Sequence, residues 1–118
     1  MTENLADLLR RAAAAIRRDA QQLLDEMDAN PRYWNPNLGD IDAYREGVDS
    51  GLGGPAGHYA AACHPGVMLA VADQLNAVAD NAALHELTRA AFGPDRAREW
   101  DTALRTARAY LDGGKTNG

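Results

Sequence analysis

Cysteine is almost missing from this 118-residue chain. Cys63 stands alone, which excludes an internal disulfide and fits a reducing compartment. Lysine is nearly absent too, with Lys115 set against eleven arginines, and alanine is abundant; that pattern fits a GC-rich coding genome better than any structural demand. Long apolar runs are missing, and none approaches the roughly 20 residues of a membrane span. The opening MTENLADLLRR carries acids early and no uninterrupted apolar stretch, unlike a signal peptide. The chain is therefore expected to be soluble and cytoplasmic. It also lacks a surplus of positive charge: the formal net charge is −5, against general binding to nucleic acid or anionic membrane. Nor are its acids gathered into runs long enough to mimic DNA. Only residues 94–118 lean basic, through Arg96, Arg98, Arg105, Arg108 and Lys115, and pairs such as Asp101–Arg105 read as a solvated helix face.

What is present reads as an all-α protein. Apolar residues make up 46% and charged residues 25% of the chain, enough for one ordered domain over 1–112, with 113–118 as a flexible tail. Leu5, Leu8, Leu9, Ala12, Ala13, Ile16, Ala20, Leu23, Leu24 and Met27 recur at three- and four-residue steps. They predict a helix over 3–28, with Thr2 as N-cap, Glu3 and Asp7 at the positive end of its dipole, and Asn30-Pro31 as its stop. After residue 56 a short helix or turn leads to Cys63. His64 then caps a longer helix with Pro65 at its first position. Its predicted buried face is Val67, Met68, Val71, Ala72, Leu75, Val78 and Ala79. The helix ends or kinks near Asn81, and Leu84, Leu87 and Phe92 are expected to continue that face to Gly93-Pro94. Ala97, Trp100, Leu104, Ala107 and Leu111 predict a last helix over 95–112, ended by Gly113-Gly114. The expected architecture is a small bundle of three to four amphipathic helices. Alanine on the buried faces contributes little apolar area, so self-association as a homodimer is expected to help. Leu9, Ile16, Leu23 and the Trp100 face are the candidate shared surface.

Residues 29–57 break the helical pattern with six glycines and three prolines. They read as a long, partly disordered connection between the first and second helices, with a short helix over 40–48 inside it. Tyr33 and Trp34 are too costly to leave in water and are expected to fold back on the helices. The working surface is expected along the segment from Tyr33 to Tyr59. The candidate binding residues are Tyr33, Trp34, Tyr44, His58, Tyr59 and His64.

Signatures of known chemistry are weak. His58, Cys63 and His64 are soft-metal ligand types, but their spacing matches no standard zinc site, and helix capping by His64 and packing by Cys63 explain them without a metal. Cys63 and His64 are adjacent in sequence, and such neighbours point apart, which disfavours a nucleophile–base pair. The run from Gly51 to Gly57 lacks the Lys-Ser/Thr and the preceding strand of a phosphate-binding loop. The carboxylates, among them Asp25, Glu26, Asp28, Asp40 and Asp42, form no acid–base pair. Asp73, on a mostly apolar helix, would need an arginine partner if partly buried.

Pro31 and Trp34, Tyr59 to Ala61, His64-Pro65, Val67, Leu69-Ala70, Ala72-Asp73, Leu75 and the closing Ala107-Arg108 and Tyr110-Leu111 carry a resemblance. In these residues the chain resembles a diffuse group of small accessory proteins of actinobacteria and their phages, which share a Tyr-x-Ala…His-Pro-x-Val-x-Leu-Ala-x-Ala-Asp motif. The match touches most of the chain and is specific only between Tyr59 and Leu75. Ala60 stands where isoleucine is usual, and Pro31-Arg32-Tyr33-Trp34 replaces a Pro-Gly-Pro-Trp form. The resemblance implies no activity. It implies a phage or prophage accessory protein, dispensable for building virions and acting inside the host. The expected function is non-enzymatic: binding of a host protein through helix faces or through residues 34–57, with no cofactor and no metal. The alternatives are a small-ligand or nucleotide sequestering protein closed by the glycine-rich segment, and a metal- or cysteine-dependent enzyme centred on His58, Cys63 and His64.

Overall fold

The computed structural model describes residues 4–35 and 37–112, and the side chains of all of these except 40, 41, 49, 50, 58 and 59. Among the described residues there are six α-helices and no strand: α1 (Leu5–Ala29), α2 (Asp40–Leu52), α3 (Gly54–Ala62), α4 (Pro65–Asp80), α5 (Ala82–Phe92) and α6 (Arg98–Asp112), with a 3-10 turn at Pro94–Ala97. The all-α expectation holds. The bundle of three to four helices does not match, and neither does the long connection, because α2 and α3 occupy most of it.

The chain forms two compact units: residues 1–16 with 71–118, and residues 17–70. In the first, Leu9, Ile16, Leu75, Val78 and Trp100 are the largest fully buried side chains. Around them the interior is largely alanine: Ala6, Ala12, Ala13, Ala72, Ala79, Ala97, Ala103 and Ala107 are all buried. Small residues let helix backbones approach closely. Leu9, Ile16 and Trp100, expected at a shared surface, are thus used inside the chain, while Leu23 packs at the edge of the second unit's core. The expected Thr2 cap lies outside the described residues. The cap bond seen is made by Asn4, whose Oδ1 accepts from the Ala6 N–H at 2.7 Å, leaving one orphan donor fewer at the start of α1.

In the second unit the chain turns at Asn30, whose carbonyl accepts from the N–H groups of Tyr33 and Trp34. Pro31 forces this stop, and Trp34 then folds back onto the end of α1. Met27, Trp34, Ala43 and Tyr44 form the buried cluster, with Leu23, Leu24, Leu38 and Val48 packed against it. Helix α2 survives its glycines because one of them is needed there. A Cβ on Gly47 would sit 2.5 Å from Trp34 Cζ3, so only glycine lets the indole lie flat on the helix. Helices α2 and α3 pack together. Helix α3 begins after Gly53, at φ 68°, with a proline in its first turn where no N–H is required.

Candidate binding surface

Of the six expected binding residues, the fold gathers Tyr33, Trp34 and Tyr44 into one aromatic cluster, with Trp34 and Tyr44 buried and Tyr33 half exposed. Trp34 and Tyr44 lie parallel with ring centroids 6.1 Å apart, and Tyr33 meets Trp34 edge-on at 4.8 Å. Their polar atoms are already occupied. The Trp34 indole N–H donates to the Glu26 carboxylate, Tyr33 O–H donates to the Gly47 carbonyl at 2.7 Å, and Tyr44 O–H donates to the Ala60 carbonyl at 3.1 Å. These bonds tie α1 to the turn, the turn to α2, and α2 to α3. Burial, reinforced by the negative charge that Cys63 would carry, holds the Tyr44 hydroxyl pKa above its ordinary 10.0. Beside the cluster, Met27, Pro31, Trp34 and Leu38 line a cavity of only about 140 Å³, below the 300–1,000 Å³ usual for ligand pockets.

His64 is 8% exposed and works as the cap anticipated for α4. Its carbonyl accepts from the Val67 and Met68 N–H groups, and its Nδ1 accepts from Val67 N–H at 3.4 Å. His58 and Tyr59 fall within α3, and their side chains lie outside the described residues. Cys63 is exposed rather than packed. Among the described residues, no three of His, Cys, Asp and Glu gather in a metal-like group. Asp73 is exposed, so burial makes no demand for a partner.

The unexpected surface is α5. None of its residues is buried, and Leu84, Leu87 and Phe92 are 61%, 66% and 70% exposed. They do not extend the α4 core face as the spacing predicted, and Val67 on α4 also lies outside that face. The helix has turned the other way. Its polar side faces α6: the His85 ring stacks on Trp100, centroids 5.8 Å apart, and Arg89 Nε donates to Asp101 Oδ1 at 3.1 Å. Asp101 thus pairs with Arg89 instead of the expected Arg105. At 100° per residue, Ala83, Leu84, Leu87, Ala90 and Ala91 fall on one outward stripe, and all five are exposed. Ala90 also lines an open groove of about 390 Å³ with Leu5, Leu104, Glu86 and Arg108.

The sequence put Leu84, Leu87 and Phe92 on one apolar face; which side of the helix would be covered was not legible in it. The signal was Trp100, whose indole offers a flat face that His85 covers as well as an aliphatic side chain would. No helix among the described residues is long and apolar enough to cross a membrane. No protein-family model, no curated protein and no solved structure matches this chain.

Proposed function

We propose that the protein is a non-enzymatic accessory protein of an actinobacterial phage or prophage that binds a host protein in the host cytoplasm, with the outward stripe of α5 as its working surface. The binding part of this reading rests on one observation: a helix that spends its polar side on its own fold and leaves its apolar side in water. Contiguous exposed apolar surface on a folded protein marks interaction sites, and Leu and Ala at helical spacing suit helix-in-groove recognition. The phage origin rests on the resemblance between Tyr59 and Leu75. For the alternative of ligand sequestration, the segment required to close over a pocket is α2 and α3, which Trp34 and Tyr44 hold down.

The test is affinity capture from an actinobacterial host lysate with the wild-type chain and with Leu84→Glu/Leu87→Glu as baits. A host protein retained by the first and lost by the second is the expected result. Capture that ignores the double substitution, or no specific capture at all, removes this reading.

A further inference from the structure

We propose that residues 80–96 form a flap over Trp100, with α5 as its body, which opens independently of the core of the first unit and is held shut by a salt-sensitive latch between Arg89 and Asp101. The proposal concerns the inward side of α5 and stands whatever binds the outward one. Burial along this part of the chain stops at Ala79 and resumes at Ala97: none of residues 80–96 is buried. The helix is set off from its neighbours at both ends, at Asn81 and at Gly93, whose φ of 87° lets the chain turn there. Its inward row is Ala82, His85 and Thr88, all partly buried, and includes no large aliphatic side chain. Lifting α5 away therefore exposes little new apolar surface of the helix itself, because Leu84, Leu87 and Phe92 are in water already.

Among the described residues, two side-chain interactions join α5 to α6. The His85 ring covers one face of Trp100, and Arg89 Nε donates to both oxygens of Asp101, at 3.1 and 3.4 Å. Half of the Arg89 side chain and about a third of Asp101 remain exposed, so dissolved salt weakens this pair. The two forms show different surfaces. Closed, the flap displays the Leu84–Leu87 stripe and hides the indole, which is 2% exposed. Open, a helix of 11 residues is too short to persist alone. The stripe then dissolves, and the indole face comes into water beside Leu5 and Leu104, its neighbours in the open groove. Salt, or a partner that takes only one form, moves the balance between these surfaces.

Residue-resolved amide exchange in the intact chain, near neutral pH, tests the flap. Relative to unstructured rates, the amides of residues 85–92 are expected to exchange at least about tenfold faster than those of residues 103–107. Below the unfolding transition, urea should leave the α5 rates unchanged, the mark of a local opening. Raising salt from about 10 mM to about 500 mM is expected to lower the α5 protection by about two- to fivefold, while that of α6 does not fall. Asp101→Asn separates the latch from the helix's own stability, because it leaves the α5 sequence intact. It should lower α5 protection at low salt by the same factor and abolish the response to salt, and Arg89→Gln should do likewise. A single urea-dependent opening shared by α5 and α6 overturns the flap. Protection of α5 that ignores both salt and Asp101→Asn overturns the latch, and the proposal with it.

Discussion

At the scale of single residues, the second unit hangs on a few close approaches. Gly47→Ala sets two effects against each other: alanine gains about 1 kcal/mol of helix propensity, and overpacking costs about 1–3 kcal/mol. Here the clash should win. Glu26 and Tyr44 hold the indole on both its edge and its face, so it cannot swing aside from a Cβ 2.5 Å away. Urea denaturation is expected to show a net loss of about 1–2 kcal/mol. Tyr44→Phe removes the bond to Ala60 and is expected to lower stability by about 1 kcal/mol at neutral pH. The folded state holds the Tyr44 proton more tightly than the unfolded chain does. Its contribution is thus complete below pH 10 and is lost as the pH rises through the folded-state value. The wild-type and Phe curves should therefore converge in alkaline denaturation, whereas a gap that stayed constant above pH 10 would contradict a buried hydroxyl. In the sequence Tyr33 and Trp34 were visible as aromatics that had to fold back; Trp34 does so, while Tyr33 stays half exposed. Their partners were not visible, since a bond from Tyr33 to Gly47 spans fourteen residues and needs both elements in place.

At the scale of elements, α1, α4 and α6 were legible because their apolar residues repeat without interruption and their ends carry proline or glycine. Helices α2 and α3 were legible only in part, as a short helix over 40–48 and a short helix or turn leading to Cys63, and both run longer than expected, because glycine reads as a breaker when each residue is weighed alone. A signal was available: Ala43, Gly47 and Gly51 recur every four residues and place the small side chains on one helix face, where an aromatic can lie. The direction of α5 is a different kind of failure. Periodicity says that a helix has two sides, while the choice between them is made by what waits opposite, here Trp100 and Asp101. The turn between α5 and the last helix depends on Gly93, at φ 87° and ψ 175°, a conformation nearly closed to other residues. No atom lies within 4 Å of where its Cβ would be, so Gly93→Ala isolates backbone strain. A loss of about 1–3 kcal/mol in thermal or urea unfolding is expected; an unchanged midpoint would show that the turn can relax.

At the scale of the whole molecule, the two units differ in what they bury. Helix α6 alone contributes Trp100, Ala103, Leu104 and Ala107 to the interior, whereas the described side chains of residues 40–62 bury only Ala43, Tyr44 and Ala61 beyond glycine. Local opening costs least where buried apolar surface is smallest, so hydrogen exchange should be faster over α2 and α3 than over α6, by one to two orders of magnitude. The alanine interior of the first unit has a thermodynamic consequence as well. The heat-capacity change of unfolding follows the apolar surface released, and a methyl releases little. Calorimetry is therefore expected to give less than the usual 12–15 cal/mol/K per residue of about this size of domain. Its stability curve should then be a low, broad dome: modest at its maximum, yet little altered by a few tens of degrees on either side of it.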